Sequence, residues 1–126
     1  MIREQTEQGF TLLEVIIAIS ILTFGILAVA SMQVSSIRGN SFAWGTSEAS
    51  TLAVDRIEKL MELPYDDSQL SQGSHPPTPQ GRYNISWNVF DDMIISGTKT
   101  VVVTVAWTDR GDPKDVNMSF TLGRVD

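Results

Sequence analysis

No cysteine occurs among the 126 residues. This excludes a disulfide framework, a thiolate metal site, a catalytic thiol and a lipidated cysteine anchor. Positive charge is scarce and scattered: 9 lysines and arginines face 15 aspartates and glutamates, a formal net charge of −6. Neutralising a row of phosphates needs grouped cations, so direct nucleic-acid binding is not expected. Histidine occurs once, at His75, inside the proline-rich run His75-Pro76-Pro77-Thr78-Pro79, and reads as a solvent-exposed loop residue. A single imidazole without a thiol leaves few groups for acid–base or nucleophilic chemistry. No glycine-rich phosphate loop or nucleophile motif is present. We therefore assign no catalytic, cofactor or metal-binding residue and expect no cofactor and no enzyme. Two stretches are rich in carboxylates, Asp91-Asp92 and the set Asp109, Asp112 and Asp115. The latter three are oxygen donors of the type calcium takes, but their spacing does not match a twelve-residue calcium loop. They read as turn formers, and whether they bind a cation is left open.

Charge is also missing where it matters most. From Val15 to Ile37 no charged residue occurs over 23 positions, and 17 of the 23 residues from Phe10 to Met32 are apolar. About 20 helical residues cross the hydrocarbon core of a bilayer. At 1.5 Å per residue, such a segment reaches roughly 34 Å. A helix apolar on every side is hard to bury in a soluble domain made from so short a remainder. A conventional secretory signal has a basic head and a shorter apolar stretch. Here the head from Met1 to Gly9 carries Arg3 but also Glu4 and Glu7, and the apolar stretch is too long. Ala28-Val29-Ala30 keeps conventional cleavage as a minor alternative. Glu14 stands alone inside the apolar run. An acid in that setting is costly, about 2.5–3.5 kcal/mol at a span centre for aspartate and less near an end, so it reads either as a side chain that reaches the interface with no further role or as a functional group that meets a positive group on another chain.

Gly9-Phe10-Thr11-Leu12-Leu13-Glu14-Val15, followed by a uniformly apolar helix, resembles the amino terminus of type IV prepilins and pseudopilins. In that family a prepilin peptidase cuts after the glycine on the cytoplasmic side and methylates the new terminus. The resemblance implies cleavage between Gly9 and Phe10, N-methylation at Phe10, and retention of the helix. It implies a leader inside and a carboxyl-terminal domain outside the cytoplasm. It also assigns Glu14 to pair with the Phe10 amine of a neighbouring subunit. Opposite charges in an apolar bundle are each expensive when unpaired, so the pairing would set the stagger of packed helices. Family leaders are usually short and basic, whereas this one has one arginine and two glutamates.

No proline occurs before Pro64, so one helix from Phe10 to Leu63 is expected. Within it, Gly39-Asn40 and Gly45 form a weak patch, the one place open to a bend or break. Beyond it, Ala49, Leu52, Ala53, Ile57, Leu60 and Met61 recur at three- and four-residue spacing, an apolar stripe that packs on a sheet. Leu63-Pro64-Tyr65 ends the helix. Asp66 to Gln80 reads as loop. Three period-two segments follow, around Tyr83–Val89, Val101–Trp107 and Val116–Leu122, each with one apolar face. The expected fold is α+β, a long amino-terminal helix whose second half packs on a three-stranded antiparallel sheet. Trp87 and Trp107 are expected in its core. The organisation is a removed leader (1–9), a membrane and filament-core helix (10–32), an amphipathic continuation (33–63), then loop and sheet (64–126).

This layout is also similar to pilins. The stretches Leu52-Ala53 through Leu63-Pro64-Tyr65 and Val101 through Asp109 resemble minor pilins of the modification type and minor pseudopilins. The resemblance implies a minor type IV pilin. It is inserted in the bacterial inner membrane by a single pass, then assembled into a pilus, or primes one, at the cell surface. Implied partners are the prepilin peptidase, the major pilin, other minor pilins and the inner-membrane assembly platform. The alternatives are a minor pseudopilin of a type II secretion system and a single-pass membrane-anchored binding module.

Overall fold

The computed structural model describes residues 9–124. Compactness divides the chain after Gly39 into two units. In the first, helix α1 begins at Leu12, and α1 ends at Met61 in the second. The helix forms because leucine, isoleucine and alanine dominate its first turns and no proline interrupts it. Its apolar side chains through Ile37 are exposed on all sides. It is the one described helix long and apolar enough to cross a membrane. Three hydroxyls in this stretch are paired within the helix. Ser20, Thr23 and Ser31 each donate to the carbonyl four residues earlier, at 2.8, 2.7 and 3.0 Å. Such back-bonding satisfies a polar group where no water is available. Residues 1–8 of the expected leader (1–9) lie outside the described residues.

The second unit holds the core. A short 3-10 turn, Ser68–Leu70, leads into four strands: β1 (Gly73–Gln80), β2 (Tyr83–Asp91), β3 (Thr98–Asp109) and β4 (Asp112–Gly123). They form one antiparallel sheet in the order β1-β2-β3-β4. Two tight hairpins close it, and their residues explain the geometry. Gly81 (φ 60) occupies the first central position between Gln80 and Tyr83, as in a type II′ turn. Arg110 (φ 51) and Gly111 (φ 89) both take positive φ between Asp109 and Asp112, as in a type I′ turn. The longer β2–β3 connection is held by the Asp92 carboxylate, which accepts from the Gly97 amide at 2.5 Å.

One face of the sheet is apolar, as the period-two pattern requires. Tyr83, Ile85, Trp87 and Val89 of β2 and Val101, Val103, Val105 and Trp107 of β3 are all buried. Ala49, Ala53 and Leu60 of α1 close over them, with Leu52 and Ile57 partly buried beside them. Each fully buried Val, Leu or Ile contributes about 1.5–3 kcal/mol relative to exposure. Met61, expected in the stripe, is exposed instead, because it lies at the last residue of α1, turned away from the sheet's buried face.

Two expectations need correction, and the patch open to a break is decided. The sheet has four strands, not three, since part of the expected loop is β1. Its prolines, Pro76, Pro77 and Pro79, are compatible with a strand because β1 lies at the edge, where one row of N–H groups has no ladder to serve. His75 is half-buried, not solvent-exposed: it pairs opposite Trp87 and stacks on its ring at 5.1 Å and 11°. And α1 does not break at Gly39-Asn40 or Gly45. Gly45 is there for close approach, since a Cβ on it would sit 2.9 Å from Trp107 Nε1 and 3.2 Å from Arg82 Nη2. Gly39 faces open space. Gly39→Ala is therefore expected to raise stability by about 0.5–1 kcal/mol. Gly45→Ala should lower it by about 1–3 kcal/mol through overpacking. Thermal melts of the detergent-solubilised chain check the opposite signs; two stabilising substitutions would contradict the Trp107 contact.

Candidate functional site at the helix N-terminus

Gly9, Phe10 and Thr11 precede α1 outside regular secondary structure. Phe10 is 88% exposed, and nothing lies within 4 Å of a Cβ built on Gly9. The Gly9–Phe10 bond is thus presented on accessible, non-helical backbone. Thr11 and Glu14 then start the helix reciprocally. The Glu14 amide donates to Thr11 Oγ1 at 3.2 Å, while Glu14 Oε2 accepts from the Thr11 amide at 3.0 Å and its hydroxyl at 3.1 Å. This is a capping box, which satisfies amides left orphaned at a helix start. The carboxylate also sits at the positive end of the helix dipole.

The arrangement does two things for Glu14. It fixes one oxygen on the turn that bears Phe10, and it leaves Oε1 without a hydrogen bond among the described residues. Phe10, Val15, Ala18 and Ile19 make the surface around it almost wholly apolar. A carboxylate with a spare oxygen in such a setting favours a nearby cation. The local capping role was overlooked in the sequence, although Thr11-x-x-Glu14 directly ahead of an apolar run is its signature.

The acidic residues of the second unit behave differently. Asp109 and Asp112 face each other across the hairpin, Asp109 accepts from the Ser41 hydroxyl at 3.3 Å, and Asp115 accepts from Asn117 at 2.7 Å. Among the described residues no group of three or more His, Cys, Asp or Glu side chains is placed to hold a metal ion. The most connected polar cluster joins α1 to β2. Tyr83 donates to Glu48 at 2.7 Å and accepts from Arg82 at 2.8 Å. Burial pushes the Tyr83 phenol above its ordinary range, and bonding of the neutral hydroxyl to Glu48 adds to this. The bond to Tyr83 in turn holds the Arg82 guanidinium further up. The sign follows from linkage: a raised folded pKa contributes stability below the unfolded value near 10, and that stability is lost as pH rises through the folded value. Melting temperature should therefore fall more steeply above about pH 10 in the native chain than in Tyr83→Phe. Parallel curves would remove Tyr83 as the cause.

A family model described as the prokaryotic N-terminal methylation motif matches residues 5–30. The match spans Gly9, Phe10 and Glu14 and the first turns of α1. The match supports a type IV pilin-like amino terminus. A long apolar amino-terminal helix with a small four-stranded antiparallel sheet agrees with the pilin fold. No curated protein and no solved structure matches the chain. Such a motif implies handling by a prepilin peptidase and assembly with other pilins. Together with the apolar α1 it supports membrane anchoring. Pilin-like families are generally structural, not enzymatic.

Proposed function

We propose that this chain is a minor type IV pilin, a structural subunit and not an enzyme. The peptidase cuts between Gly9 and Phe10 and methylates Phe10. The subunit waits in the inner membrane with its sheet domain outside the cytoplasm, then enters, or primes, a filament through α1. The observation that carries this reading is the placement of the methylation motif on an exposed Gly9–Phe10 bond at the start of a helix whose apolar stretch to Ile37 carries one charged residue, Glu14. The absence of cysteine favours a minor subunit over major pilins that close a carboxyl-terminal loop with a disulfide.

Cleavage frees a positive amine at Phe10 four residues from Glu14. In a bundle of apolar helices both charges are costly alone. Pairing the Glu14 carboxylate with the amine of a neighbour removes both penalties at once and fixes the axial offset between the helices. Close packing and polar pairs replace the hydrophobic drive that is weak within a membrane.

Intact-mass analysis of the protein purified from its own cells tests the reading. The expected mature chain lacks Met1–Gly9 and carries one extra methyl group. A chain that retains the leader overturns it. Co-purification with sheared pili supports the pilus role. Recovery with a secretion machine and never with pili would make the chain a minor pseudopilin instead.

A further inference from the structure

The chain has three tryptophans, and the core uses two of them. Trp87 and Trp107 are buried, whereas Trp44 on α1 is 73% exposed. A tryptophan left that open is unusual, since the ring is on average among the more deeply covered side chains. Phe42, two residues earlier, is 48% exposed, and Lys114 of β4 lies 5.6 Å from the centre of its ring. At roughly 100° and 1.5 Å per residue, Phe42 and Trp44 stand on nearly opposite sides of α1 at almost the same level.

The place of this pair in the chain points to what surrounds it. Phe42 and Trp44 follow Ile37, the end of the uncharged run, by five and seven residues, roughly 8–10 Å of helix. Helical side chains lean toward the amino terminus, which brings both rings back toward the run. The run is roughly 34 Å long, enough to fill a hydrocarbon core of about 30 Å with a slight tilt, and Glu14 and Arg38 mark its two borders. The headgroup layer outside that core is about 5–7 Å deep on each side. Tryptophan is enriched at that level, because its ring is apolar and its N–H finds polar partners there. We propose that Phe42 and Trp44 form a collar in the headgroup layer of the membrane that α1 crosses, seating the sheet domain on the bilayer surface. The proposal rests on the membrane-anchored reading above and adds the depth at which the chain is held.

A protein partner fits this pair less well. A surface that docks on one side of α1 covers one ring and leaves the other, whereas lipid around the helix reaches both. Charge does not select the lipid. Arg82 and Arg110 stand at the two tight turns at this end of the sheet, but Glu48, Asp109 and Asp112 lie among them. Signs so intermixed give no preference for an anionic surface. The occupant is therefore the headgroup layer of any fluid bilayer, and the aromatic rings carry the attachment.

The test uses the full chain in phosphatidylcholine vesicles and reads Trp44 as the emission that Trp44→Phe removes. The ring is exposed, so this substitution leaves the core untouched. A spin label on the lipid headgroup should quench that emission about twofold, and a label at the end of the acyl chains should leave it nearly unchanged. The same result is expected when phosphatidylglycerol is mixed in. Combining Trp44→Phe with Val54→Trp moves the reporter ten residues along α1, roughly 15 Å, where the headgroup label should no longer reach it. The proposal is overturned if the headgroup label leaves Trp44 unquenched while the chain floats with the vesicles. It is also overturned if quenching needs the anionic lipid, or if the reporter at position 54 is quenched equally, which lays the domain flat on the bilayer. Shielding of Trp44 that arises only as chains crowd together overturns it too and makes a neighbouring subunit the occupant. A chain that does not float with the vesicles overturns the membrane-anchored reading itself, and this proposal with it. If Val54→Trp does not fold, the comparison of the two labelled lipids on the native chain decides.

Discussion

Glu14→Ala should leave leader cleavage intact and reduce recovery of the subunit in filaments by roughly 100-fold. The magnitude follows from leaving the Phe10 amine unpaired in an apolar bundle, since removing one partner of a buried ion pair costs about 3–5 kcal/mol. Glu14 also caps its own helix, so alanine removes two functions at once. Glu14→Gln separates them. Glutamine at this position of a capping box still accepts from the Thr11 amide but carries no charge. If intersubunit charge pairing governs assembly, Glu14→Gln should be nearly as defective as alanine. Immunoblots of sheared filaments against membrane fractions, with leader removal scored by mass, give the answer. Normal incorporation of the glutamine variant would reject the pairing and leave the cap as the role of this residue.

Trp87→Ala should destabilise the sheet domain by about 3–5 kcal/mol, the usual cost of removing a buried large aromatic. Three contacts converge on this ring besides its burial. Its Nε1 donates to the Gln69 carbonyl at 2.8 Å, His75 stacks on it, and the Arg56 guanidinium lies 5.1 Å from its centroid. The ring therefore ties β1, β2, α1 and the turn before β1 together. Domain stabilities are commonly 5–15 kcal/mol, so the loss removes a large share of the total. Urea unfolding of the detergent-solubilised chain should show the midpoint falling with little change in slope. A change below about 1 kcal/mol would mean that the ring is not a core anchor.

Much of this architecture was legible in the sequence because it rests on periodicity. The uncharged run to Ile37, the three- and four-residue stripe from Ala49 to Leu60, and the alternation through β2, β3 and β4 each follow from which side chains must avoid water. What escaped reading rests on position instead. β1 was hidden because prolines normally argue against a strand, and only its edge location makes them harmless. Gly45 looked like a helix breaker, but its reason is a Trp107 side chain brought close by tertiary packing. His75 was assigned to solvent because the strand register that sets it beside Trp87 is a long-range fact. At the helix start, Gly9, Phe10 and Glu14 were visible as a motif. The cap between Thr11 and Glu14 was equally visible, but the acid's cost in an apolar run drew attention away from its nearest amide.

Every strand of the sheet pairs with its neighbour in sequence, and two of the three connections are two-residue turns. Hairpins of this kind close quickly, since little chain entropy is lost before the first contacts form. The slower event is then the docking of Ala49, Ala53 and Leu60 onto a sheet that is already formed. The strands can thus be acquired one hairpin at a time, without first searching for distant partners.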